Sequence, residues 1–234
     1  MTRQYSELAN SNIRFLLDTL ADKSIEPKLY QETMTQLGMS LGDALLTKID
    51  NKQESLYLAS TVEDADFLAR GILNQVETQL SSVAFACFWN QRFSPFEIDD
   101  LQIAPIIKKY QEKPLGKVNN LVVIKSIISG ACVVKTNLIN LIQTITPEHI
   151  FIVAPVMYHT AQAKLKNEFE KDIYDKFQFL YFAEDDERTP EGEVIPGIGG
   201  MIYERLGFQG QDDKNKYIPA IVKERRAQFM KVPV

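Results

Sequence analysis

The stretch VVIKSIISGAC, Val122–Cys132, decides the fold. It opens as a short β-branched apolar run, reaches the small residues Ser129-Gly130-Ala131, and passes directly into a helical pattern of Val133, Val134, Asn137, Leu138, Leu141 and Ile142. Comparable apolar runs lie at Val83–Trp89, Leu121–Ile124, Ile150–Val153 and Phe177–Phe182, with a further helical pattern over Ala161–Phe169. Short runs rich in Val, Ile and Phe fit strands buried on both faces of a parallel sheet. Strands alternating with helices imply right-handed crossovers, hence an α/β fold with an open, doubly wound, mainly parallel sheet. Ligands of such sheets bind beyond the carboxyl ends of the strands, near the point where strand order reverses. The segments that follow the strands therefore carry the functional information.

Upstream of this core, Ile13, Leu16, Leu17 and Leu20 recur at helical spacing, as do Tyr30, Met34, Leu37, Leu41, Ala44 and Leu45 after Pro27. Residues 1–50 thus read as an N-terminal helical extension and 51–234 as the α/β domain. Leu56-Tyr57-Leu58 reads as a strand. Thr61 with Asp64 three residues on resembles a capping box, which opens a helix carrying Ala65, Leu68, Ile72, Leu73, Val76 and Leu80. The apolar stripe of the extension, which one sheet domain need not cover, predicts a homodimer.

Composition narrows the function classes. Among 234 residues, 26 are basic and 31 acidic, and the net charge of −5 argues against a dedicated nucleic-acid binder. Cys87 and Cys132 stand in apolar runs with no partner at metal-ligand spacing, and His149 and His159 are the two histidines, so no structural zinc site is expected. No run approaches the length of a membrane span, and Met1 to Asn12 is polar. The expectation is a cytoplasmic protein with a small-molecule ligand and no membrane partner; a protein partner is left open.

Four segments carry candidate chemistry. The turn Ser129, Gly130, Ala131 into Cys132 offers backbone N–H groups and a helix dipole to a phosphate; the alternative is a tight connection only. YFAEDDE, Tyr181–Glu187, ends a strand in four acids, of which Asp185 and Asp186 are the catalytic candidates; the alternative is a solvated loop. GEVIPGIGG, Gly192–Gly200, combines Pro196 with Gly197, Gly199 and Gly200 in a rigid turn whose main chain can meet a planar base. Finally, Arg92 follows the strand ending at Trp89 and is a candidate cation for an anion, whereas Lys108 and Lys109 read as solubilising charge.

In order, these segments resemble uracil phosphoribosyltransferase, of the phosphoribosyltransferase superfamily, over residues 55–208. GEVIPGIGG is similar to the turn that reads uracil through main-chain atoms, which assigns base binding to Val194, Ile195, Pro196, Gly197, Ile198, Gly199 and Gly200. YFAEDDE is similar to that family's tyrosine–threonine–alanine segment, with Phe182 in place of the threonine, and adds Tyr181 and Ala183 to the base site. FWNQR resembles the strand and arginine beside the phosphoribosyl pyrophosphate site. VVIKSIISGAC takes the place of the ribose-phosphate loop, which assigns Lys125, Ser126, Ser129, Gly130, Ala131, Cys132 and Arg92 to phosphate. An active member would require Mg²⁺, and the resemblance implies a dimer.

The departures bear on chemistry. The family's phosphate loop begins with an acid; here Lys125 and Ser126 stand there, the loop is about one residue shorter, and Ala131 replaces a glycine. Gly200 stands where the base-reading segment continues with an aspartate, and Glu204-Arg205 stands for a second aspartate and arginine if one residue is inserted. Transfer needs carboxylates and a cation to hold an electron-poor ribose while pyrophosphate leaves. One like-charge contact at ~4 Å and an effective dielectric of about 20 costs about 4 kcal/mol, which corresponds to several hundredfold in rate or more, on the order of a factor of ten per 1.36 kcal/mol. Two functions follow: a nucleotide binder with weakened or lost transferase chemistry, with Lys125 on a phosphate, or an active uracil-type transferase. A nucleotide-directed effector of a defence or toxin system is a third. The basic stretch Lys223-Glu224-Arg225-Arg226 reads as a solvated helix face.

Overall fold

The computed structural model describes residues 3–95 and 102–230. Part of the Trp89–Tyr110 segment lies outside the described residues. The chain opens with β1 (Gln4–Tyr5), α1 (Ser11–Ala21), α2 (Pro27–Leu46) and β2 (Ser55–Thr61). There follow α3 (Val62–Asp64), a π-helical turn (Ala65–Ala69), α4 (Arg70–Gln79), β3 (Ser82–Asn90) and β4 (Ile106–Gln111). Next come β5 (Asn120–Ile124), β6 (Ile127–Ile128), α5 (Cys132–Ile142), β7 (His149–Tyr158), α6 (Ala161–Lys166) and α7 (Lys171–Tyr174). The last elements are β8 (Phe177–Asp185), β9 (Glu187–Arg188), β10 (Val194–Ile195), α8 (Ile202–Arg205), α9 (Gln211–Lys216) and α10 (Ala220–Met230).

The main sheet has the order β1-β8-β7-β5-β2-β3-β4, with β6 paired to β7. The five inner strands are parallel; β1 and β4 close the edges antiparallel. This is the open, doubly wound, mainly parallel α/β architecture expected. The chain steps outward from β2 to β3, then returns to place β5 on the other side of β2. Strand order therefore reverses between β2 and β5, and their carboxyl ends face a common crevice.

Alternation along the strands divides two cores. Leu58 faces one side with Phe85, Val122 and Val153, where α1 and α2 contribute Leu16, Leu20, Tyr30, Leu37 and Leu41. Tyr57 and Ala59 face the other with Val123 and Ile152, covered by Val134, Leu138 and Leu141 of α5 and by Leu165 of α6. The N-terminal helices are thus one layer of the fold. Their apolar stripe is buried inside the chain, so the stripe itself no longer argues for a homodimer; Phe15 and Leu29 remain exposed at 67% and 45%.

Several boundaries differ from the sequence reading. β8 continues through Asp185, because β1 pairs with it at Gln4↔Glu184 and Tyr5↔Ala183 and keeps the chain extended. The helix expected over Ala161–Phe169 ends at Lys166. The basic stretch on α10 is not simply solvated: Arg225 reaches Glu112 and Glu77, and Glu224 meets Arg70. Among the described residues no helix is long and apolar enough to cross a membrane.

Candidate functional site

The reversal point holds a buried ion cluster. β5 ends at Ile124, and the chain breaks stride at Lys125-Ser126 before β6 resumes on β7, so the Lys125 side chain crosses toward the end of β2. Its ammonium donates to Asp64 Oδ2 at 2.8 Å, Glu63 Oε1 at 2.9 Å and Thr61 Oγ1 at 3.1 Å. Those are all three donors of a lysine. Asp64 Oδ1 accepts the Ser126 backbone N–H at 3.2 Å, which ties the loop to α3 by main chain as well as side chain. Burial opposes charge here, but Asp64 and Glu63 outweigh it and hold the Lys125 pKa above its ordinary value. Burial likewise opposes the Glu63 carboxylate, and Lys125 and then Lys214 overcome it and bring the pKa down to about 2.

Two sequence expectations change as a result. Lys125 has no donor left for a phosphate, because its ammonium is bonded to Thr61 at the end of β2 and to Glu63 and Asp64 of α3. The capping box does not form either: the Thr61 hydroxyl donates to Asp64 Oδ2 at 2.7 Å, and no side chain caps the N–H groups of α3. Asp64 is turned toward Lys125 instead.

The Ser129–Cys132 corner lies further along the same loop. Ser129, Gly130, Ala131 and Cys132 are all half-buried. A Cβ built on Gly130 meets nothing within 4 Å, so the corner is open at that point. α5 starts without a side-chain cap bond at Ala131. The Arg188 guanidinium lies 3.8 Å over the Tyr158 ring and donates to the Ser129 carbonyl. Cys132 Sγ meets the Gln102 carbonyl at 3.2 Å.

The glycine-rich turn is pinned to the N-terminal layer. Asp185, fully buried, receives Arg3 Nε and Nη2 at 2.8 Å each and the Gly197 N–H at 2.9 Å. Arg3 also donates to the Gly197 carbonyl at 2.6 Å, and Tyr30 Oη donates to the Ile198 carbonyl at 3.0 Å. The peptide Ile195-Pro196 is cis, and Gly199 has φ +78° with its α-carbon against the Leu20 carbonyl. These bonds correct the expected roles. Main-chain groups of Gly197 and Ile198 serve the protein itself, and Asp185 fastens the turn. Asp186 is exposed. Ile195, Pro196 and Gly200 keep partial exposure, while Val194, Gly199 and Ala183 are buried and Tyr181 is half-buried within β8. Arg205 donates to the Asp22 and Lys23 carbonyls at the end of α1 and lies over the Tyr30 ring, which is a structural position.

Two features escaped sequence reading. Glu63 with Thr61 and Asp64 is one. The other is Lys214 of α9, 1% exposed, whose ammonium donates to the Asn90 carbonyl at 2.6 Å and stands over the Tyr203 ring at 5.2 Å. Burial pulls the Lys214 pKa down, against the pull of Glu63. Arg92 is exposed, with its backbone N–H on Gln211 Oε1 at 2.8 Å, and its charge acts on Lys125, Cys132, Tyr203 and Lys214. The segments after β2, β3 and β5 therefore do converge. A separate cavity of about 200 Å³ beside Trp89, Tyr110 and α10 contains none of the predicted site residues.

Mg²⁺ has no place in this donor set while the Lys125 ammonium occupies it. Among the described residues no group of three His, Cys, Asp or Glu side chains is arranged for a metal ion. Glu63 and Asp64, the acids at the crevice, are already bonded to an ammonium.

No protein-family model and no curated protein matches the sequence. Among solved structures, the AQ2163 protein from Aquifex aeolicus superposes with TM-score 0.63 at 15% identity, covering 88% of this chain and 99% of that one. An adenine phosphoribosyltransferase from Leishmania donovani aligns at TM-score 0.42 and 15% identity over 87% and 78%. A hypoxanthine phosphoribosyltransferase from Trypanosoma cruzi, in complex with the product IMP, aligns at 0.36 and 11% over 70% and 79%. At these identities the likeness is one of fold, and it is carried by the Aquifex protein.

Proposed function

We propose that the chain is a phosphoribosyltransferase-like protein that binds a nucleotide, phosphate plus a planar base of the uracil type, at the carboxyl edge of its sheet, and that it has lost the transfer reaction. The observation that carries this reading is the Lys125–Glu63–Asp64 cluster. Carboxylates bonded to an internal lysine are not free to hold a ribose or a cation while positive charge develops on the sugar. Phosphate binding rests on the open corner at Gly130, the uncapped start of α5 and the nearby guanidinium of Arg188. Arg92 stands at the mouth as a further cation. The base side rests on Ile195, Pro196 and Gly200, the parts of the glycine-rich turn that keep exposure.

Thermal unfolding with uridine monophosphate and with phosphoribosyl pyrophosphate, each with and without Mg²⁺, tests the reading. A ligand that binds only the native state raises Tm. The monophosphate is expected to raise it in either condition. Strong Mg²⁺-dependent stabilisation by phosphoribosyl pyrophosphate, with pyrophosphate released when uracil is added, would establish the active transferase instead.

A further inference from the structure

We infer that Lys125, with Lys214 behind it, is a built-in substitute for a divalent cation, so that the Glu63 and Asp64 carboxylates of α3 form a metal site that the chain itself keeps filled. The inference deepens the proposed loss of transfer and rests on that reading only for its meaning, since its test uses no nucleotide.

Three oxygens from one short turn, Glu63 Oε1, Asp64 Oδ2 and Thr61 Oγ1, converge on a single nitrogen. Carboxylate and hydroxyl oxygens around one centre are the donors that hard divalent cations take. All three residues are nine-tenths buried or more, as is Ser126 beside them. Two further oxygens in the cluster, Glu63 Oε2 and Ser126 Oγ, are buried without a partner. The ammonium's three donors are spent on Glu63 Oε1, Asp64 Oδ2 and Thr61 Oγ1, so neither of these two oxygens is served; a cation of six or more ligands has room for additional oxygens.

Charge points the same way. Glu63 and Asp64 bring two negative charges, and Lys125 cancels one. Lys214 makes up the second from a greater distance: its ammonium is bonded to the Asn90 carbonyl, yet it is the next cation after Lys125 to act on Glu63. Two lysines on separate elements therefore balance what one divalent ion would balance alone. The groups around the cluster include Thr61 at the end of β2, Cys87 of β3, Ser126 in the loop after β5, Lys214 and Tyr203 from the later helices, and Arg92 from the mouth.

Lys125→Ala removes the ammonium and leaves both carboxylates, the Thr61 hydroxyl and the space of the lysine stem. Thermal unfolding of the wild type, Lys125→Ala and Lys125→Ala/Glu63→Gln is followed in EDTA, MgCl2 and MnCl2. The single variant is expected to melt lower than the wild type in EDTA and to recover saturably with metal, by about 5–10 °C with the ion at about 100 times its Kd. The wild type and the double variant do not shift. If Lys125→Ala is unfolded in EDTA, recovery of its far-ultraviolet circular dichroism on adding Mn²⁺ is the corresponding positive result, because binding then supplies folding free energy. A single variant that neither ion rescues overturns the inference, as does a wild type that shifts as much as the variant.

Discussion

At the scale of single residues, the decisive event is the meeting of Lys125 with Glu63. Burying a charged pair is stabilising only when its geometry is good, and removing one partner costs about 3–5 kcal/mol. The titration of Glu63 makes this measurable. Its carboxyl ionises at about 2 in the fold against an ordinary 4.5. A depressed folded value means that its contribution is complete above about pH 4.5 and is lost as pH falls toward about 2. Wild type and Glu63→Gln, compared by urea unfolding, are therefore expected to differ most at pH 7 and to converge only as pH falls to about 2 and below. A gap that stays constant with pH would contradict the assignment. The sequence disclosed half of this pair. Lys125 stood out because an acid belongs at the head of such a loop, but its partners lie 61 and 62 positions earlier. Only the order of strands, with β5 set against β2, brings them together, and no local spacing encodes that.

At the scale of elements, the glycine-rich turn and the loop before α5 behave oppositely. Gly199 sits at φ +78°, and a Cβ there would lie 2.1 Å from the Leu20 carbonyl. Gly130 has neither constraint. Gly199→Ala is expected to destabilise the protein by about 2 kcal/mol or more, whereas Gly130→Ala should stay within about 0.5 kcal/mol. The measurement is the chemical-denaturation midpoint of each variant. A severe loss at Gly130 would mean that its corner is closed, contrary to the site described. Glycine clustering identified the turn as rigid, and correctly so. It did not reveal that the rigidity serves packing on α1 and a bond to Asp185, since Arg3 and Tyr30 come from a distant part of the chain. The acid run ends a strand, as its sequence implies, but Glu184 and Asp185 lie within β8, because an N-terminal strand of two residues, too short to leave a pattern, pairs with it.

At the scale of the whole molecule, the hydrophobic runs and their alternation with helices were enough to predict an open parallel sheet, because burial on both faces leaves a strong signature in composition. What they left open was the role of the N-terminal helices. Their stripe looked available for a second copy, yet it closes the protein's own core with Leu58, Phe85 and Val153. The molecule then presents one candidate edge, where β2, β3 and β5 end, with an internal cluster at its centre and an open corner beside it. The most direct test is calorimetric titration of uridine monophosphate into the wild-type protein, once in EDTA and once in Mg²⁺. Saturable binding with the same Kd in both is expected. Binding that requires Mg²⁺, or no binding in either buffer, would contradict it.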